Sequence, residues 1–254
     1  MTALLGLEFA DLTVESAAAA IAQRPASAAF AYVVTPNADH LARLARDPAL
    51  LRIYRHAWLC LLDSRVVAGL ACACGLAVPP VAAGSDLTAL LLDRHIHKGE
   101  TIAIIGSRPA WLPVLIARYG LAPPFHYDPP MGFDSDPVKF AGTVAFVLAH
   151  PARLVFLAVG SPRQERLAAA IAATGQATGL GLCIGASLAF LTGAETRAPS
   201  WMQRHGLEWA FRLASDPKRL ARRYLVDSPR VLPMLLRQRF ISAPCAPAPD
   251  GPAR

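Results

Sequence analysis

The sequence is short of the features that most readily assign a function. Its 254 residues contain no C-x-x-C pair, and its cysteines (Cys60, Cys72, Cys74, Cys183 and Cys245) are odd in number and scattered. That argues against a disulfide framework and a structural zinc site, and leaves small apolar side chains in a reducing compartment. No G-x-G-x-x-G follows a β-rich run and no G-x-x-x-x-G-K-[ST] occurs, so the standard dinucleotide and P-loop phosphate cradles are missing. His95 and His97 stand two apart, off any common helical face, and no third ligand follows at metal spacing, so no metal site is expected. The first residues lack a basic stretch and meet Glu8 and Asp11 early, which predicts no signal peptide. Two uncharged runs, 66–85 and 167–194, are broken by glycine or proline, so neither is expected to form the ~20-residue apolar helix that spans a bilayer. There is no internal repeat.

Charge is also scarce. Only 17% of residues are charged against 54% hydrophobic, enough apolar material for the core of one α/β domain with an appendage. Residues 1–196 hold 14 Lys/Arg and 14 Asp/Glu, whereas 197–254 hold 11 Lys/Arg and 4 Asp/Glu, so the whole net charge of +7 sits in the last segment. A segment this basic calls for a polyanion, either nucleic acid or an anionic lipid surface. No nucleic-acid-binding module accompanies it, which favours lipid.

Short β-rich runs at 31–34, 58–62, 101–105, 154–159 and 180–184 alternate with helical stretches. Such alternation predicts an α/β fold, a Rossmann-like, mostly parallel sheet with helices on both faces, plus a short helical C-terminal appendage. Ser161, Pro162 and Gln164 read as a capping box opening a helix, and Asp136-Pro137 and Asp216-Pro217 repeat the cap-then-proline pattern. From about Pro199 no β-run remains, and two or three helices rich in Trp and Arg are expected. The predicted division is an α/β domain at 1–198, an arginine-rich helical appendage at 199–241 and a disordered tail at 242–254.

In an open parallel sheet, ligands sit outside the carboxyl ends of the strands. The polar residues expected there are Thr35, Asn37, Asp63, Ser107, Arg108, Ser161 and Gln164. Asp63 directly follows an apolar run, so its carboxylate would be partly desolvated, its pKa raised, and its chemistry that of a general base. The structural alternative is that it caps the next segment or pairs with Arg65. Gly106 and Gly160 each place a turn before a helix N-terminus, where backbone N–H groups favour phosphate. In the last segment Arg212, Arg219, Arg222 and Arg223 are interleaved with Trp201, Trp209, Phe211 and Tyr224. That mixture suits an anionic bilayer interface or bidentate contacts to a diphosphate, or a solvated basic helix packed through its aromatics.

These residues, in this order, resemble the WecG/TagA/CpsF glycosyltransferase family. The matching pieces are Thr35-Pro36-Asn37, Asp63, Gly84-Ser85-Asp86-Leu87, Gly106 with Pro109, Pro130-Met131-Gly132-Phe133 and Gly160-Ser161-Pro162-Arg163-Gln164-Glu165. They continue through Gly185 and Gly193 to Arg197-Ala198-Pro199-Ser200-Trp201, Gly206-Leu207-Glu208-Trp209, Arg212, Pro217, Arg219, Arg222, Arg223 and Tyr224. The resemblance implies an inverting, metal- and cofactor-independent transfer of a sugar (N-acetylmannosamine, its uronic acid or another hexose) from a UDP donor. The acceptor is a polyprenyl-diphosphate-linked sugar at the cytoplasmic face of the plasma membrane, and no nucleic acid is involved. It makes Asp63 the base and puts Thr35, Asn37 and Gln164 in the donor pocket. Gly106, Ser107, Gly132, Gly160, Glu165 and Arg197 are further substrate-binding candidates. The resemblance makes 1–198 the catalytic domain and implies that the appendage at 199–241 binds membrane and closes over the active site, where Arg212, Arg219 and Arg223 would face the diphosphate. Homo-oligomerisation is left open, because the appendage can dock on its own subunit or a neighbour's. The chain departs from the family pattern at Ser64, Val81 and Ala189, where glycine, arginine and aspartate are usual. Those departures bear on the donor sugar, and they motivate the alternative of an inactive, membrane-associated scaffold.

Overall fold

The computed structural model describes residues 1–242. Most of the tail expected to be disordered, 243–254 with Cys245, lies outside the described residues; Ser242 ends the last helix.

The chain opens with a hairpin of β1 (Thr2–Leu4) and β2 (Leu7–Phe9), followed by α1 (Val14–Gln23). The first strand of the main sheet is β3 (Ala31–Val34). The amphipathic stretch after it is two helices, α2 (Ala38–Leu44) and α3 (Pro48–Arg55), because Asp47 restarts the chain as an N-cap ahead of Pro48. Next come β4 (Leu59–Cys60), α4 (Arg65–Ala73), α5 (Gly84–Leu90), β5 (Ala103–Ile105), α6 (Leu112–Tyr119) and β6 (Phe125–Tyr127). Asp136 caps α7 (Pro137–Ala149) as its sequence predicts; then follow β7 (Leu154–Leu157), α8 (Arg163–Ala173), β8 (Leu180–Cys183) and α9 (Ser187–Leu191).

The sheet has the order β4-β3-β8-β7-β5-β6 and every pairing is parallel. Alternation along the strands splits the core in two. Tyr32, Val34, Ile105, Val155 and Leu157 pack on one face beneath α2, α3, α4, α7 and α8. Val33, Ile104, Phe156 and Leu182 pack on the other beneath α1, α5, α6 and α9. The helices that follow β3 and β7 lie on the first face, while α9, which follows the intervening β8, lies on the second. Chain paths diverge at β8, and such a switch opens a crevice at the carboxyl ends of the strands.

The C-terminal helices are more segmented than expected. They are α10 (Ser200–Arg204), α11 (Glu208–Ser215), α12 (Pro217–Arg222) and α13 (Val231–Ser242), with breaks at Gly206 and Asp216-Pro217, while a π-helical turn (Arg223–Asp227) and a 3-10 turn (Ser228–Arg230) join the last two. The last helix is part of the first core face: Val231 and Leu235 are fully buried there, and Arg239 Nη1 donates to the Cys74 carbonyl at 2.8 Å.

Candidate active site

Beyond β3 and β4 the chain stays paired. Leu61 N–H donates to the Val34 carbonyl at 3.0 Å and Asp63 N–H to the Pro36 carbonyl at 3.1 Å, so Asp63 is fixed beside the segment carrying Thr35 and Asn37. Ser64, rather than Asp63, caps α4, accepting from Val67 N–H at 3.2 Å. The Asp63 carboxylate accepts from the Gly84 N–H at 3.1 Å. Glycine is required at 84 because a Cβ there would lie 2.7 Å from Thr35 Oγ1 and 3.5 Å from Asp63 Oδ2. The base candidate and Thr35 therefore crowd the same point at the α5 N-terminus.

Burial pushes the Asp63 carboxyl up to about 6; the Gly84 N–H opposes this, Glu208 and Asp86 add to it, and Arg197 opposes it. Arg197 pairs with Asp86, and its Nε is buried without a hydrogen-bond partner. Glu208 belongs to α11, so the C-terminal helices feel, and tune, this carboxylate.

A second cluster forms where β8 diverges from β7. Gln164 Oε1 accepts from Gly185 N–H at 3.0 Å, and its Nε2 donates to Glu165 Oε1 at 3.0 Å. The Tyr54 hydroxyl donates to the same Glu165 oxygen at 3.0 Å. Gln164 and Glu165 are both buried, and burial raises the Glu165 pKa. The expected capping box does not form. The helix α8 starts at Arg163 with Pro162 as its N-cap, and Ser161 Oγ instead accepts from Arg43 Nη1 at 3.2 Å, while Gln164 is taken by Gly185. Arg43 also donates to Asp39 at 3.0 Å, and Arg223 Nε lies 3.4 Å from the same carboxylate oxygen. His40 sits between these cations, and burial with Arg223 and Arg43 depresses its pKa to about 3. It is neutral, and its Nδ1, 3.4 Å from the Tyr54 hydroxyl, is assigned as donor because that hydroxyl already donates to Glu165.

The model of the glycosyl transferase WecG/TagA/CpsF family matches residues 2–244. The chain belongs to this family. Membership implies glycosyltransferase activity in cell-envelope polymer biosynthesis.

Other candidates in this WecG/TagA/CpsF chain take different positions. Asn37 spends its Oδ1 as the N-cap of α2, accepting from Asp39 and His40 N–H at 3.1 and 3.3 Å, which leaves its amide N–H groups to offer. Gly106 has φ +86°, and a Cβ there would stand 2.8 Å from Val159. Ser107 follows with φ +76°, unusual for a non-glycine residue, and its Oγ is buried without a partner. Gly160, φ +78°, precedes the start of α8. Gly132 lies on an exposed loop after β6, at the sheet edge opposite β4. Arg212 is held over the Phe190 ring at 5.2 Å and 3.9 Å from Glu195, whereas Arg223 is held at α2. Arg219 is on α12, and its side chain lies outside those described.

Sequence reasoning passed over Asp39, Arg43 and Tyr54, and left His40 without a partner. The spacing Asn37, His40, Arg43 at the start of a helix was the available signal, because steps of three share a face. Among the described residues no group of three or more His, Cys, Asp or Glu could hold a metal ion, and the four described cysteines are free. No described helix is long and apolar enough to cross a membrane.

Proposed function

We propose that this chain is an inverting, metal-independent glycosyltransferase that moves an N-acetylmannosamine-type, hexose or uronic acid sugar from a UDP donor to a sugar carried on a polyprenyl diphosphate, in cell-envelope or exopolysaccharide assembly. The observation that carries the reading is Asp63, a carboxylate just beyond β4 whose pKa is raised to about 6 and which is held by Gly84 N–H beside Thr35. Such a group is ionised at neutral pH yet basic enough to take a proton, as inverting transfer requires. The acceptor hydroxyl gives its proton to Asp63 as its oxygen bonds the anomeric carbon. On the opposite face the bond to UDP breaks, and the electron pair leaves with the diphosphate.

That departing charge needs positive groups already in place. Arg43 and Arg223, gathered around Asp39 beside Ser161, and Arg197, whose Nε has no partner, supply guanidinium groups at the crevice. Thr35, Asn37 and Gln164 are the proposed donor contacts, and Glu165 is a positioning residue that fixes Gln164. The family match supports the reaction class, and the exposed Trp201, Leu225, Val226 and Phe240 support contact with the inner membrane surface.

The test incubates the purified protein with a panel of UDP-sugars and a short polyprenyl-diphosphate-linked sugar. Consumption of one donor with release of UDP and an inverted linkage is expected. If no donor is consumed the reading fails, and an inactive scaffold takes its place.

A further inference from the structure

Two arginines share one carboxylate oxygen beside the start of α8. Arg43 Nη2 donates to Asp39 Oδ2 at 3.0 Å, one turn back along α2, and Arg223 Nε lies 3.4 Å from the same oxygen. Arg43 Nη1 also donates to Ser161 Oγ at 3.2 Å, which sets the pair next to the Gly160 turn. The two contacts to Asp39 differ in kind. Arg223, at the start of the π-helical turn after α12, has its Nε buried without a hydrogen bond, so charge alone holds it there. The Tyr224 ring, 5.6 Å from its guanidinium carbon, supports the cation through its π-system. The Asp39 side chain is 13% exposed, against 33% for Arg43 and 27% for Arg223. The carboxylate is the enclosed partner, and the cations keep open sides.

One carboxylate oxygen cannot give two guanidinium groups the paired, in-plane hydrogen bonds they make best, whereas a diphosphate has oxygens enough for both. Two guanidinium groups this close also repel each other, and a carboxylate between them offsets that repulsion until a ligand arrives. We infer that Asp39 is an exchangeable counter-ion: it gathers Arg43 and Arg223 before the donor binds, yields them to the donor diphosphate, and takes them back as UDP leaves. Asp39 is thus a positioning residue, acting through the arginines and not on the sugar. The inference rests on the UDP donor proposed above. It gives the bound product a competitor inside the site, so Asp39 limits how long UDP is held and keeps its release from slowing turnover.

UDP and inorganic pyrophosphate are the probes, titrated separately into the full chain by calorimetry. Asp39→Asn keeps the size of the side chain and removes its charge, and it is expected to bind both about tenfold more tightly than the natural chain. In an Arg223→Gln background, which lacks one of the exchanging cations, the same change is expected to gain about threefold or less. An undiminished gain there would mean that Asp39 acts on the ligand directly, and overturns the exchange. In the transfer assay Asp39→Asn is expected to lower kcat and the KM for donor together, each about three- to tenfold, because UDP leaves slowly. A purely structural role would instead raise that KM. Should the variant fail to fold, NMR of the arginine side chains decides on the natural chain. There the Arg223 Nε–H signal is expected to move downfield as saturating UDP supplies a hydrogen-bond acceptor, and a signal unmoved by UDP overturns the inference. Equal or weaker UDP binding by folded Asp39→Asn also overturns it, even if transfer proceeds. The expected gain in a chain that consumes no donor upholds the exchange and removes the transferase reading alone.

Discussion

At the scale of single residues, the energetics of Asp63 and Gly84 can be separated. The folded Asp63 carboxyl titrates near 6, above the ordinary aspartate value, so the folded state holds this proton more tightly than the unfolded chain. The stability this supplies is present below about pH 4 and is lost as pH rises through 6. Asp63→Asn, measured by urea unfolding across pH, is expected to gain on the natural chain over that interval, ending about 1–3 kcal/mol more stable at pH 8. A constant difference across pH would show that burial does not perturb the group. Gly84→Ala forces a methyl against Thr35 and is expected to cost about 1–3 kcal/mol. Thr35→Ala in the same chain makes room, so the double variant is expected to be more stable than Gly84→Ala alone. Asp63 and Thr35 were legible beforehand from their places at the ends of β-runs, but their meeting at Gly84 was not. The N–H that holds Asp63 comes from a residue 21 positions later, and sequence spacing carries no record of that pairing.

At the scale of elements, the β-run at 31–34 is β3 itself, and the runs at 154–159 and 180–184 contain β7 and β8 with one or two residues to spare. Buried on both faces, they read as continuous apolar segments. The strand β6 was invisible because His126 interrupts it and it lies at the sheet edge, and the β1/β2 hairpin because each strand is only three residues long. The start of α8 was misread for a related reason: Ser161, Pro162 and Gln164 satisfy a local pattern, but Arg43 and Gly185 compete for the side chains the pattern needs. That competition makes α8 a clamp between β8 and α3. Tyr54→Phe removes the hydroxyl that satisfies Glu165 and is expected to lower stability by about 1–3 kcal/mol, read as a lowered Tm. It should also raise the KM for donor through Gln164; an unchanged KM would separate the clamp from the donor pocket.

At the scale of the molecule, the loss of β-runs after Pro199 pointed to an appendage and its charge to a polyanion, but neither could show that its last helix completes the core. Leu235 is fully buried beside residues of α2 and α4, so Leu235→Ala is expected to cost about 2–5 kcal/mol in urea unfolding. Truncation at 198 therefore removes core as well as surface, and membrane contact is better tested by point changes. Leu225→Glu with Phe240→Glu, both exposed, is expected to reduce co-sedimentation with anionic liposomes while Tm holds; undiminished binding would remove the membrane role. Arg197 and Glu208 of the same segment both act on the Asp63 charge, so the helices proposed to meet the membrane also tune the proposed base. The most direct measurement is the pH dependence of kcat/KM for transfer from the accepted UDP-sugar to the lipid-linked acceptor, in the natural chain and in Asp63→Asn. The account predicts a rise with an apparent pKa near 6 and a plateau above it, with Asp63→Asn slower by about 10²–10⁴-fold and lacking that rise. An Asp63→Asn enzyme with undiminished turnover and the same pH profile would contradict it.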